Sequence, residues 1–239
     1  MTLLYGSEAT GQRTGPGLPS ENYWFRRHVA AYRYARTMVR GVVLDAGAGE
    51  GYGASILARR ARAIGLEIDG DTVSHAAARY RAVRFVRADV GHLPVAAGSV
   101  DAVVALQVLE HLDRPEGFLR GCVDVLRPGG TVVLSTPNGP TFPAGNPWHV
   151  HEFEPAELGD LLASTFGRDV RLLGVRHGRG LSLLDRFLGE SVQHRLARDG
   201  YGDQPAWLRA ILRTVTSRDF RLSERADDCL DLFAVAEVR

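Results

Sequence analysis

Val42-Val43-Leu44-Asp45-Ala46-Gly47-Ala48-Gly49-Glu50-Gly51-Tyr52-Gly53 is the stretch on which the fold turns. It opens as a short β-branched apolar run, which reads as a buried strand. Glycine then recurs at every second position, and Ala54-Ser55-Ile56-Leu57-Ala58-Arg59-Arg60 resumes as a helix. Strand, glycine turn and helix open a doubly wound sheet, where the turn and the helix N-terminus cradle a ligand. Glycine lets the backbone approach that ligand with no Cβ in the way. A dinucleotide fingerprint spaces its glycines G-x-G-x-x-G; here they run G-x-G-x-G-x-G. Asp45, just before the first glycine, would repel a pyrophosphate but can accept hydrogen bonds from an ammonium group.

The rest of the chain reads as one domain over residues 1–239, long enough to bury about three quarters of its unfolded surface. A net charge of +1 gives no basic footprint for nucleic acid. All 29 basic residues are Arg, which reflects coding bias more than function. Cys122 and Cys229 have no metal spacing and read as buried reduced thiols. Nothing reads as a signal peptide and no apolar run approaches the ~18 residues of a membrane span. The expectation is a cytoplasmic protein.

Residues 1–40 read as an N-terminal arm, loose through residue 20, and then a helix from Glu21 to about Val39. Trp24, Phe25, His28, Ala31, Tyr32 and Ala35 share one helical stripe. That helix either packs on the sheet edge or closes as a lid. Strand two is Ala63–Asp69, and Glu67 ends it about 20 residues after the glycine turn, where an acid takes ribose hydroxyls. Asp69 and Asp71 compete for that role, or cap the helix beginning near Thr72. Strand three is Val83–Asp89, strand four Val100–Leu106, strand five Thr131–Asn138, strand six Asp169–Val175 and strand seven Asp231–Val238.

Acids closing strands one, two and three, the Leu109-Glu110-His111-Leu112 segment and the Arg127-Pro128-Gly129-Gly130 turn together resemble the core of class I S-adenosylmethionine (SAM) methyltransferases over residues 41–138. The resemblance implies an α/β fold: a doubly wound, Rossmann-like, seven-stranded, mostly parallel sheet with an antiparallel last strand. It implies SAM as cofactor and S-adenosylhomocysteine as product. Asp45, Gly47, Gly49 and Tyr52 would bind it from the first turn, and Glu67 and Ile68 from the second. Asp89 would accept the adenine amine, beside Val90, with Leu106 and Gln107 closing the site. The family joins strands six and seven as a hairpin. Here a helical insertion, residues 178–219, separates them and reads as a cap on the acceptor pocket, as an extension of the helical layer, or as a homodimer contact.

Glu21–His28, Glu50–Ala54, Ser135–Asn138 and Asn146-Pro147-Trp148-His149 are similar to a narrower group, actinobacterial methyltransferases associated with methylglucose lipopolysaccharide synthesis. That likeness implies O-methylation of a saccharide hydroxyl. A phenolic or other natural-product acceptor, and a SAM-binding protein without chemistry, are the alternatives. Asp45 and the glycine spacing oppose a nicotinamide dehydrogenase. Leu106-Gln107-Val108-Leu109 opposes a nucleic acid N-methyltransferase, which resemblance would give an Asn/Asp-Pro-Pro-aromatic segment there.

A long loop, Pro140 to Phe153, follows strand five on the cofactor rim. It carries His149, the first candidate base, and His151, the second; an extended stretch would point both to one side. Trp148 can stack on a sugar ring. Glu152 orients a His or caps the next helix, near Glu154-Pro155. His111 and His28 are further candidates. Ubiquinone-type O-methyltransferases, a second resemblance, have a Glu-x-x-Glu-His metal site after strand four. Gln107-x-x-Glu110-His111 lacks one carboxylate, so no required metal is expected.

Overall fold

A computed structural model describes residues 14–142, 146–167 and 170–238. Most of the N-terminal arm (1–13), Pro143, Ala144 and Gly145 of the rim loop, Asp169 at the start of strand six and the final Arg239 lie outside the described residues. In chain order the elements are α1 (Asn22–Met38), β1 (Val42–Ala46), α2 (Tyr52–Leu57), β2 (Arg62–Glu67), α3 (Gly70–Arg79), β3 (Arg84–Arg87), β4 (Val100–Leu106), α4 (Pro115–Val125), β5 (Leu126–Pro137), α5 (Pro155–Phe166), β6 (Val170–His177), α6 (Arg179–Leu188), α7 (Val192–Asp199), α8 (Ala206–Thr214), β7 (Phe220–Ser223) and β8 (Asp231–Glu237).

The sheet runs β3-β2-β1-β4-β5-β8-β6-β7. β1 to β5 pair in parallel, and β8 runs antiparallel between β5 and β6. The strand order reverses at β1 and β4, so the crevice beyond their carboxyl ends is where such a sheet binds ligands. Among the described residues eight strands replace the expected seven. The addition is β7, Phe-Arg-Leu-Ser, which pairs antiparallel with Gly174–His177 on the free edge of β6. Its alternation is too short to stand out from the helices before it, yet it buries Phe220 against Tyr23. The three insertion helices therefore end at this extra strand and not at the last one.

Side chains alternate across the strands and divide the core in two. Val43, Ala102, Val104 and Leu106 face α1, α2 and the insertion helices. Leu44, Val103 and Ala105 face α4 and α5. Both cysteines are free and buried. Among the described residues no helix is long and apolar enough to cross a membrane.

Helix α1 lies over the face of the sheet, in contact with β4, β5, β7, α2 and α8. Its buried side departs from the expected stripe: Trp24 and His28 are half-buried, whereas Arg27 is only 2% exposed. An apolar stripe had no place for that cation because its partners come from the far end of the chain. Arg27 Nε donates to Asp231 Oδ2 (2.5 Å) and Nη2 to Asp231 Oδ1 and to the Leu230 carbonyl, while Nη1 donates to Gln193 Oε1 on α7. Arg27→Ala leaves Asp231 buried and unpaired and should destabilise the fold by about 3–5 kcal/mol, a fall in Tm on the order of 10 °C. Arg27→Met combined with Asp231→Leu should recover most of it in thermal scans, since no charge is left buried; an equal loss in both variants would show that packing, not charge, holds α1.

Candidate functional site: a donor cradle and a histidine rim

β1 delivers the chain into the glycine turn, where Gly49 takes φ +50° with nothing within 4 Å of where a Cβ would stand. That open side is where a ligand can lie against bare backbone. Gly53 serves packing instead: a Cβ there would meet Tyr32 Cζ at 2.1 Å. The Tyr32 ring crosses α2, packs edge-on against Tyr52, and donates its hydroxyl to Asp45 Oδ1 (3.1 Å). Asp45 is fully buried, and its Oδ2 has no hydrogen-bond partner among the described residues. Burial pushes its carboxyl up to about 8, against the small opposing effect of the Tyr32 hydrogen bond.

Glu67 ends β2 as expected and is buried under the turn. Its Oε2 accepts from Gly49 N (3.1 Å) and its Oε1 from Asp69 N (3.0 Å). Asp69 takes the capping role, accepting from Thr72 N (2.8 Å) at the start of α3. Ala88 N donates to the Glu67 carbonyl (2.9 Å), so the chain leaving β3 is tied to the end of β2. Asp89 follows, exposed, with Oδ1 accepting from Gly91 N, and Val90 half-buried beside it. Ile68 is exposed between the two acids. The Tyr52 hydroxyl stands 3.2 Å from both Thr14 Oγ1 and His28 Nδ1. Burial lowers the His28 pKa to about 4, so that ring is neutral, and it belongs to this side of the site.

Leu106 is buried at the end of β4, and Gln107 turns the chain with φ +59°, a left-handed conformation in a non-glycine residue. Gln107 Nε2 donates to Ser135 Oγ (3.1 Å) and Asp231 Oδ1 (3.4 Å). Next comes the 3-10 turn Leu109–His111, clasped by the rim loop. Val150 N and His151 N donate to the Glu110 carbonyl at 2.7 and 3.3 Å. His111 Nδ1 lies 2.8 Å from the Trp148 carbonyl. His149 Nδ1 lies 3.1 Å from Glu152 Oε1, and its Nε2 2.8 Å from Asn146 Nδ2. Its ring lies tilted against Phe142, 5.1 Å between centroids, and stands edge-on to His111. Burial lowers the His149 pKa, opposed by the Glu152 bond.

The two rim histidines do not share a side. The chain bends at Val150 instead of running extended, so His149 turns inward while His151 stays half-exposed against Glu157 of α5 (2.7 Å). Glu152 orients His149, and Glu154 with Glu157 caps α5. Glu110, read from the sequence with His111 as a pair short of a third metal ligand, is 1% exposed, with both carboxylate oxygens unpartnered among the described residues. Burial pushes it up to about 8. One ligand atom from each of Glu110, His111 and His149 lies within 4.8 Å of the others, an arrangement that could hold a metal ion. The Glu110-His111 pair after strand four was the available signal; His149 as its neighbour was not, because the loop brings it back.

A parallel sheet reversed at β1 and β4, with acids closing its first strands, defines a nucleoside-type ligand site without a phosphate cradle. The comparisons agree. A model of the methyltransferase domain matches residues 44–134. A probable SAM-dependent methyltransferase of Mycolicibacterium smegmatis is 45% identical over 95% of this chain and 93% of its own. One from Mycobacterium tuberculosis is 40% identical over 95% and 88%. Among solved structures, a Thermotoga maritima SAM-dependent methyltransferase, described as a possible histamine N-methyltransferase, superposes with a TM-score of 0.64 at 13% identity, over 91% of this chain and 92% of that one. The chain belongs to the SAM-dependent methyltransferases, and SAM is its cofactor. The residues present fit that group: a buried, unpartnered carboxylate oxygen on Asp45 and the open face of Gly49.

The raised Asp45 pKa has a measurable effect on the fold. A carboxyl at about 8 when folded and near 3.9 when unfolded favours the folded state at low pH, and that stability is lost as pH rises towards 8. Asp45→Asn removes the titration. Its stability relative to wild type should therefore climb from pH 5 to pH 8, by on the order of 1 kcal/mol per unit, read from thermal or denaturant unfolding at each pH. A constant difference across that range would place the Asp45 pKa near its ordinary value.

Proposed function

We propose that this protein transfers the methyl group of SAM to a hydroxyl of a saccharide. Bound SAM supplies a methyl already activated on a sulfonium, so the chain's own task is to hold donor and acceptor in line and dispose of a proton. On the donor side Asp45 faces the ammonium group, Gly47, Gly49 and Tyr52 flank it, Glu67 takes the ribose hydroxyls, and Asp89 the adenine amine. Ile68, Val90, Leu106 and Gln107 line the adenosine. Glu67→Ala removes a charged acceptor and frees the Gly49 amide, and should weaken SAM binding by about 1.5–3 kcal/mol in calorimetry. A larger loss from Asp69→Ala than from Glu67→Ala would move the ribose contact to Asp69.

The observation that carries the acceptor reading is the set of bonds around His149. Asn146 Oδ1 accepts from Trp148 N (3.1 Å), which turns the Asn146 amide N–H toward His149 Nε2. Nε2 is then the unprotonated nitrogen, and Nδ1–H donates to Glu152. An imidazole in this tautomer, oriented by a carboxylate, can take a proton from a hydroxyl that releases Asn146. His151 is the second catalytic candidate, further out and paired with Glu157.

Trp148, 47% exposed beside it, offers a flat face for a sugar ring. Beyond the start of β8 lies a polar cavity of about 300 Å³ lined by Thr141, Arg176, His177, Asp185 and His194 among others. Gln193 and His194 of α7 bond the Thr141 carbonyl at 2.9 and 2.7 Å, which supports the insertion as a cap over the acceptor side. Incubation with labelled SAM and separate panels of saccharides and phenols should give a methyl ether on a saccharide only. His149→Ala should cut kcat about 10²–10⁴-fold with SAM affinity nearly unchanged. Retention of most of kcat would remove His149 from the reaction, and methylation confined to phenols would overturn the saccharide.

A further inference from the structure

The rim holds a second feature that base catalysis leaves unexplained. Glu110 is buried, and neither of its oxygens has a hydrogen-bond partner among the described residues; ionised in that place it would need a counter-charge. Two imidazoles stand beside it, and their bonds fix their tautomers. The Trp148 carbonyl can only accept, so His111 Nδ1 carries the proton and its Nε2 is a bare lone pair. His149 is held the same way, Nδ1–H to Glu152 and Nε2 unprotonated. An imidazole whose outer N–H is tied to a carbonyl or carboxylate is the usual state of a metal-ligating histidine.

We propose that Glu110, His111 and His149 form a binding site for a first-row divalent cation, with Zn²⁺ as its reference ion. Their ligand atoms already lie within 4.8 Å of one another. Ligands about 2.1 Å from zinc stand roughly 3.4 Å apart, so a small inward turn of the side chains completes the set. Two nitrogens and one oxygen suit zinc, cobalt or manganese, whereas Mg²⁺ takes an all-oxygen shell. The cation supplies the charge that Glu110 lacks and displaces the Asn146 amide from His149. The fold provides the third ligand that spacing after strand four could not: it comes from the loop beyond β5. The site rests on the proposed placement of the acceptor beside His149. With a cation bound, His149 serves as its ligand and no longer as the base; the cation acidifies the acceptor hydroxyl, whose proton leaves to solvent as the oxygen takes the methyl group.

The test uses the full chain, stripped with EDTA and dialysed, titrated calorimetrically with ZnCl₂ and, in parallel, with CoCl₂ under visible spectroscopy. One equivalent should bind at micromolar affinity or tighter, with d–d bands of a nitrogen–oxygen site, and MgCl₂ should bind far more weakly. Glu110→Gln, His111→Ala and His149→Ala should each weaken binding on the order of 10–100-fold or more, while His75→Ala, an exposed histidine on α3, should not. Glu110→Gln keeps the side chain's shape, and its unchanged SAM affinity shows that it is folded. No stoichiometric binding, or binding indifferent to all three variants, overturns the site. Saccharide methylation by metal-free enzyme that binds no cation would sink the site and leave the proposed reaction standing. Cation binding that depends on these three residues, with no saccharide methylated, would do the reverse.

Discussion

The Arg27–Asp231 pair is the constraint on which the rim depends. Both charges are buried, so neither can leave without exposing the other to an uncompensated field. The pair joins elements that the chain places far apart: α1 at one end and the first residue of β8 at the other. Gln193 brings α7 into the same cluster, and the Leu230 carbonyl fixes the approach to β8. Asp231 also accepts from Gln107, so the arginine on α1 is connected through one carboxylate to the turn after β4. Gln107 holds its left-handed conformation, which costs energy in a non-glycine residue, because Ser135 and Asp231 engage its amide. The position of the Glu110–His111 turn follows from that conformation.

Two buried acids, Asp45 and Glu110, stand at the ends of neighbouring strands β1 and β4, each short of partners. In a purely structural core such groups would be replaced by apolar ones at a gain in stability. Their survival on the ligand edge of the sheet is the pattern expected where binding and fold stability conflict. On the proposed roles each would meet a positive group: Asp45 beside the open glycine turn, Glu110 beside two imidazoles. Among the described residues Thr136 Oγ1 and Asn138 Oδ1 share that lack of a partner, while other buried polar side chains are bonded. Tyr23, His177 and Asp185 form a chain of hydrogen bonds of 2.6 and 2.5 Å that joins α1, β6 and α6.

What the sequence made legible was local. The β-branched run and glycine turn, Glu67 closing β2, Asp69 as an alternative cap and Pro155 opening α5 all depend on residues within a few positions of one another, and all appear in the structure. What it left hidden depends on contacts across the fold. Arg27 has no place in an apolar stripe, and the partner that buries it, Asp231, lies 204 positions away. β7 is only four residues long and becomes a strand because β6 has a free edge. The alternation rule failed at His149 and His151 because it assumes extended backbone, and the bonds from Val150 and His151 to Glu110 bend the chain there. Those same bonds bring the two halves of the rim together, which no spacing could encode.

Donor cradle and rim are also in direct contact. A Cβ on Gly47 would meet Val108 Cγ2 at 2.6 Å, so the first glycine of the turn lies against the side chain that follows Gln107. Glycine there is a matter of room as much as of conformation: any larger residue would push the β4 turn outward and carry Glu110 and His111 with it. Alignment of a methyl donor with its acceptor is sensitive to displacements on the order of 1 Å. On the proposed assignment both sides of the reaction stand on adjacent strand ends, in van der Waals contact through Gly47 and Val108, so the sheet sets the distance between them.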